Sequence, residues 1–441
     1  MESGDSTEGR ASSVFVFNPF AEGYIAKGDA FTPVKHQVML ANDLANLPQF
    51  LCRPDDIVLV PKRPSADFLM TLEAAGFPRP EFVELREGRI DSYSNLSQRR
   101  LGGLRPWAWG PDSVKLLEPL FAEMSGETRS ADQYFNDHIA RLYSKAWSAG
   151  FLRKVLARCR EPWLCCEQEA GVTVDTMDEA LGAVAAIRGR GHHRVVVKEA
   201  LGLAGHNAIR LWEKEVLPAQ RQWLGHVLSS GPQLVVEPWL ERELDFSIQL
   251  EMGPHNLQFC GYTGLINDRK GQYLANWAEP DYSQRLPEKV ATLLSGETGM
   301  SERLQRLYGE VLSMLEAELH PVGFVGPVSI DAFVYRTPQG GRRLKPVVEI
   351  NPRYTMGRVT AELMKYTCPG SFGMFRLVSL AQAHGEGFAD LAGYAASLRE
   401  RLPLRLESGP VPRIAQGALC LNDPTQAQVC LATFEVGDTP L

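Results

Sequence analysis

The chain has 441 residues, too many for one simple core, so two or three domains or subdomains are expected. Hydrophobic residues make up 44% and charged residues 22%, the balance of an ordinary soluble globular protein, and the net charge of −7 argues against nucleic-acid binding through a basic surface. No apolar run reaches the roughly 18 residues of a membrane span.

The polar, acidic stretch 1–12 reads as a disordered lead-in rather than a signal peptide. The eight cysteines show no CxxC spacing, so they read as reduced thiols in a cytoplasmic protein. Ser13–Asn18 is strand-like and ends in an Asn-Pro turn. Gln37–Leu47 is helical in pattern, Asp56–Val60 is a second strand, and Ser65–Ala75 is a helix with Ser65 as N-cap and Gly76 as stop. Glu81–Leu85 is a third strand. This alternation predicts a parallel α/β domain over 13–130. Ligands of such sheets lie beyond the carboxyl ends of strands, so the turn from Phe17 to Gly23, with Asn18 and Glu22, is either a substrate contact or a plain strand-to-helix turn. The rigid Trp107/Trp109 loop could wall a pocket, but packing between domains is the favoured expectation.

Asp132–Cys159 reads as helical, with Lys145 ahead of the apolar face of Phe151, Leu152 and Val155. Trp163–Cys166 reads as a strand carrying a buried cysteine pair, and Asp178–Ile187 as a helix capped by Thr176. A Val-Val-Val strand then delivers Lys198 to a loop holding Gly202 and Gly205. Such a loop can lay backbone N–H groups on phosphate oxygens while the lysine supplies a point charge, but the Gly-Lys-Ser/Thr ending of a Walker A loop is missing, and taken alone the stretch reads rather as a glycine-containing hairpin turn. Gln233–Glu237 is a strand running into Pro238-Trp239-Leu240, where the proline frees backbone groups for a planar ligand edge. Strand alternation resumes over Glu241–Leu250, and Asn256–Leu265 and Gln272–Trp277 add strands. Leu286–Leu319 is mainly helical with Ser301 as cap.

The most informative stretch is Phe324–Arg358. Two apolar, β-branched runs flank Pro-Gln-Gly-Gly, which is a hairpin signal. Folding symmetrically about Gly340 sets Asp331 opposite Glu349, with Cβ atoms about 5 Å apart on one face. Asn351, two residues on, shares that face. Opposed carboxylates repel, and three oxygen-bearing side chains suit a hard divalent cation such as Mg²⁺ beside phosphates. Arg353 and Arg358 follow, and guanidinium groups pair well with phosphate. Beyond the hairpin, Ala361–Met364 and Phe372–Ala383 read as helical, and the tail from Arg413 as two strands around Asn-Asp-Pro.

In chain order, Lys145, Lys198 with its glycine loop, Glu237-Pro-Trp-Leu240, Asp245, Asp331 and Glu349-Ile-Asn351-Pro-Arg353 resemble the ATP-grasp superfamily of carboxylate–amine ligases, over about 131–375. The resemblance implies an α/β fold in which two lobes sandwich ATP: an N-lobe over 131–233, a C-lobe over 234–375, and a C-terminal helix and strands over 376–441. It implies that Lys145 and Lys198 hold ATP phosphates under the Gly202–Gly205 lid. Glu237 to Leu240 would bind adenine and Asp245 the ribose. Asp331, Glu349 and Asn351 would be ligands of Mg²⁺, two ions being expected and Mn²⁺ a substitute. Arg353 would steady the transferred phosphate or acyl-phosphate, and Arg358 would meet a substrate carboxylate. The implied activity is ADP-forming amide or peptide bond formation between amino-acid-like molecules. A small-molecule kinase and a non-catalytic ATP-binding module are the alternatives. The expected partners are a small carboxylate and a small amine, and a homodimer is allowed for.

Overall fold

A computed structural model describes residues 11–91, 96, 99–125, 130–202, 208–229, 231, 233–268, 273–279, 286–295 and 300–437. The fold is mixed α/β, with one parallel and several antiparallel sheet regions. The chain divides into two compact units: Met1–Ala21, Thr32–Phe135 and Glu362–Leu441 form one, and Glu22–Phe31 with Asn136–Ala361 forms the other.

The first unit holds the parallel sheet. Ser13–Val16 pairs with Ile57–Val60, which pairs with Glu81–Glu84, as the strand–helix alternation predicts. A fourth strand, Gly103–Pro106, pairs on the other side of Ser13–Val16, where the sequence suggested only a loop. Trp107 and Trp109 are buried; Trp109 stacks on Tyr134 at 4.5 Å and closes a core of Val14, Ile57, Leu59 and Leu104. Ser65 caps the helix Ala66–Ala74 by accepting from Phe68 N–H at 3.4 Å.

The same unit contains a second, antiparallel set of strands: Phe372–Ser379 with Cys430–Gly437, which pairs in turn with Arg413–Cys420. Helix was expected over Phe372–Ala383, but only Leu380–Gly385 is helical. Phe372, Gly373, Met374 and Phe375 are all buried, so no polar face breaks the run, and periodicity alone does not separate helix from strand there. Asp43 ties a helix end to this sheet, accepting from the N–H groups of Val429 at 2.7 Å and Cys430 at 2.9 Å.

In the second unit, four short strands run in the order Val172–Val174, Leu234–Pro238, Val195–Glu199, Ala208–Leu211, all antiparallel. They pack on the helix Met177–Gly189 through Val195, Val197, Val184 and Ile187. Each fully buried aliphatic side chain of this kind contributes roughly 1.5–3 kcal/mol. Thr176 caps that helix as expected, accepting from Glu179 N–H at 3.2 Å. Trp163–Cys166 is not a strand; it makes one bridge, Leu164 to Leu344, and only Cys165 of the cysteine pair is buried. Ser301 lies inside the helix Met300–Leu319 rather than at its cap.

A longer antiparallel set orders Arg342–Asn351, Gly326–Arg336, Glu241–Met252, Leu257–Asn267 and Tyr273–Ala278. The first two strands are the predicted hairpin. The helix Lys145–Arg158 lies on it, and Ile350 N–H donates to Ser148 Oγ at 3.1 Å.

Candidate active site

The hairpin does oppose Asp331 and Glu349, but by an indirect route. Near the turn, Arg336 faces Arg342, so the pairing centres on Gln339, and Gly340 supplies the φ of +81° that the turn needs. Phe333 then faces Lys345, while Asp331 faces Glu349, so Pro346, Val347 and Val348 oppose Ala332 alone. This bulge offsets the displaced turn. Pro346 has no N–H to give to a ladder, which is where bulges are tolerated.

On its other side the strand Gly326–Arg336 pairs with Glu241–Met252, placing Ser247 opposite Asp331 and Gln249 opposite Ser329. Three strands thus present one polar face. Asp331 Oδ1 accepts from Ser247 Oγ at 2.7 Å, and Oδ2 accepts from Asn351 Nδ2 at 3.1 Å. Burial, and then the neighbouring Glu349 charge, push Asp331 up to about 6.

Burial would also raise Glu349, but Lys145, Lys198 and Arg353 outweigh it and hold this carboxyl below its usual value. Lys145 Nζ sits 3.1 Å from Glu349 Oε1 and donates to the carbonyl of Gly202 at 3.2 Å. Ser144 caps the helix that Lys145 begins, and Lys145 N–H donates to Ala200 O at 2.8 Å, so the lysine is anchored at both ends. Gly205 lies outside the described residues.

Lys198 faces Val235 and Glu237 faces Val196, so Lys198 and Glu237 share a face diagonally and form an ion pair. Lys345, only 2% exposed, binds the other oxygen of Glu237 at 2.7 Å. Burial opposes ionisation of Glu237, yet the two lysines outweigh it and hold the carboxyl far below its usual range. Lys145, Lys198, Glu237 and Lys345 surround a cavity of about 10 Å³, room for roughly one water molecule. The expected free backbone at Pro238 is not found: Pro238 pairs with Val195, and Trp239 N–H donates to Arg194 O at 2.9 Å. Trp239 lies under the guanidinium groups of Arg210 and Arg242, and Leu240 is buried beside it in sequence.

Arg353 donates to Glu22 Oε1 at 2.7 Å, to Asn351 Oδ1 at 3.2 Å and to Tyr354 O at 3.3 Å, so all three of its nitrogens are engaged. Arg358 is paired with Glu251 at 3.0 Å, donates to Leu250 O at 3.2 Å and lies over the Tyr354 ring. Asp245 is paired with Arg242 at 2.9 Å. The structure therefore gathers Lys145, Lys198, Glu237, Asp331, Glu349, Asn351 and Arg353, and leaves Asp245 and Arg358 in separate ion pairs.

Three members were not singled out as site residues from sequence. Lys345 had a visible signal, a lone lysine within Leu344-Lys-Pro-Val-Val, where a buried strand needs a partner for it. Ser247 had none. Glu22 belongs to the turn read as either a substrate contact or a plain strand-to-helix turn; its tie to Arg353 spans 331 positions, which no local pattern encodes.

Among the described residues no three His, Cys, Asp or Glu side chains converge as a metal cage. The oxygen set here is two carboxylates and an amide. A buried carboxyl raised by a like-charged neighbour is relieved by a cation between them, so this hard-oxygen set fits Mg²⁺ held with help from phosphates and water.

No protein-family model matches the chain, and no curated protein matches it. Among solved structures it is similar to N5-carboxyaminoimidazole synthetase from Staphylococcus aureus, at 10% identity, 98% of this chain, 94% of that one and TM-score 0.47. It is also similar to an L-amino acid ligase from Bacillus licheniformis, at 11% identity, 98% and 95% coverage and TM-score 0.46. A third is biotin carboxylase from Campylobacter jejuni, at 11% identity, 97% and 87% coverage and TM-score 0.47.

Proposed function

We propose that this protein is an ATP-dependent carboxylate–amine ligase of the ATP-grasp type, forming an amide or peptide bond and releasing ADP and phosphate. The observation that carries the reading is one half-buried face on which Asp331, Glu349 and Asn351 stand beside Lys145 and Arg353.

Asp331, Glu349 and Asn351 would hold Mg²⁺, which supplies charge neutralisation between phosphate oxygens when bound. The ion pairs explain how these side chains wait for a ligand. Lys145 is engaged by Glu349 and Lys198 by Glu237, so each carboxylate is screened by an ammonium group. On nucleotide binding the two lysines exchange carboxylate for phosphate oxygens. Because the cavity has room for only about one water molecule, Lys198 and Lys345 must part from Glu237, and Lys145 from Glu349, to admit a nucleotide. Glu237 then faces the adenine amino group, with Trp239 and Leu240 alongside. Arg353, fixed through all three nitrogens, orients the γ-phosphate as the substrate carboxylate oxygen attacks phosphorus and the bond to ADP breaks. The amine nitrogen then attacks the acyl carbon and phosphate leaves. Arg358 and Asp245 are held in separate ion pairs, and we assign them to the substrate carboxylate and the ribose.

The experiment is a phosphate-release screen over pairs of carboxylates and amines, amino acids and dipeptides first, with mass spectrometry of the products. The ligase reading predicts phosphate release only with both partners present and an amide product. A phosphorylated product with no amide would make the protein a kinase, and no turnover with tight ATP binding would make it a binding module.

A further inference from the structure

The second unit contains a far larger cavity than the one at the lysines, about 920 Å³, and nothing in the proposed reaction uses it. That volume lies in the range of small-molecule sites, roughly 300–1,000 Å³. It opens between the carboxyl end of the helix Lys145–Arg158 and the helix Met300–Leu319. On the latter, Arg303, Arg306 and Glu310 recur at helical spacing and so line one side together. Arg158 and Arg160 face them from the other wall.

Four guanidinium groups thus meet two carboxylates, Glu161 and Glu310, and both carboxylates are already used. Glu310 pairs with Arg158 at 3.2 Å, and Glu161 accepts from the indole N–H of Trp163 at 3.3 Å. Arg303 is built in rather than dangling. Its guanidinium lies 4.3 Å over the ring of buried Trp163 and donates to Leu293 O at 2.7 Å. A guanidinium fixed by its face and one nitrogen keeps other donors for a ligand and loses little entropy on binding. Arg160 is steadied through Nε by Ala157 O at 3.3 Å. Among the described residues neither Arg160 nor Arg306 has a carboxylate partner.

We propose that this cavity is a second anion site, separate from the lysine pocket, and that it takes a small molecule bearing a phosphate group. Fork-shaped donors on opposite walls match tetrahedral phosphate oxygens, and an excess of two positive charges matches a dianion.

The test is calorimetric titration of the full-length protein with pyrophosphate in magnesium-free buffer, comparing wild type with K198Q, R160Q, R303Q and R306Q. The proposal predicts a saturable component that K198Q retains. R303Q should weaken it about tenfold or more, and R160Q or R306Q at least severalfold, in line with loss of a charge-assisted hydrogen bond. R160Q and R306Q alter exposed side chains, so their effects do not depend on R303Q folding normally. Loss of every component in K198Q would overturn the proposal, as would indifference to all three arginine variants. Tighter binding of citrate than of pyrophosphate would overturn the assignment to phosphate.

Discussion

Asp331 and Glu237 illustrate opposite uses of burial. Burial, and then the neighbouring Glu349 charge, push Asp331 up to about 6, above its ordinary 3.8. A raised carboxyl adds stability below its ordinary value, and that contribution is lost as pH rises through 6. In EDTA, D331N should therefore be more stable than wild type at pH 8, by roughly 1–3 kcal/mol, and should show no such gain near pH 4. Urea denaturation at the two pH values checks this; an equal difference at both would contradict it. Glu237 is held low by two lysines, so removing it leaves buried ammonium groups without a counter-charge. E237A should cost roughly 3–5 kcal/mol and E237Q less, measured the same way. The Asp331–Glu349–Asn351 set was legible because period-two alternation and a glycine turn fix which side chains share a face. Lys345 stood out as a lone lysine in a buried strand, but its partner Glu237 did not, nor did the tie of Glu22 to Arg353, since these pairs are 108 and 331 positions apart.

The hairpin and the helix that follows it set the geometry of the face. The symmetric pairing about Gly340 gave the right carboxylates only because a displaced turn and the bulge at Pro346–Val348 cancel. Sequence shows the turn residues but not the compensation. Just past the hairpin, Thr355 Oγ1 donates to Gln249 Oε1 at 3.0 Å, and Gln249 Nε2 donates to Thr263 Oγ1 at 3.1 Å. Gly357 fits against this chain: a Cβ there would lie 2.5 Å from Gln249 Nε2 and 2.7 Å from Thr263 Oγ1. G357A should therefore break the chain and destabilise the protein by roughly 1–3 kcal/mol. Unchanged stability in chemical denaturation would show that the helix start is looser than described. Elements read most clearly where one face is polar, as in Glu241–Met252, and least where both faces are covered, as in Phe372–Ser379.

Taken as a whole molecule, the cysteines report on the fold. All eight are free thiols; Cys52, Cys165, Cys368, Cys420 and Cys430 are buried, Cys159 and Cys260 are half-buried, and Cys166 is exposed. Burial pushes Cys165, Cys420 and Cys430 up to about 12, which removes the reactive thiolate at neutral pH. Titration of the native protein with a disulfide reagent should label Cys166 first, then Cys159 and Cys260, with the other five reacting only after unfolding. Fast reaction of Cys420 or Cys430 would contradict the packing of the C-terminal strands. Among the described residues no helix is long and apolar enough to cross a membrane. The alternation of strands and helices announced the parallel sheet, whereas the discontinuous first unit, which joins residues from both ends of the chain, was beyond local patterns.

The decisive measurement is calorimetric binding of ATP with and without Mg²⁺ to wild type and to E349Q. A hard cation held by facing acids beside the lysines predicts Mg²⁺-enhanced binding in wild type and at least a tenfold loss of that enhancement in E349Q. Binding that ignores Mg²⁺, or that E349Q leaves intact, would contradict the account.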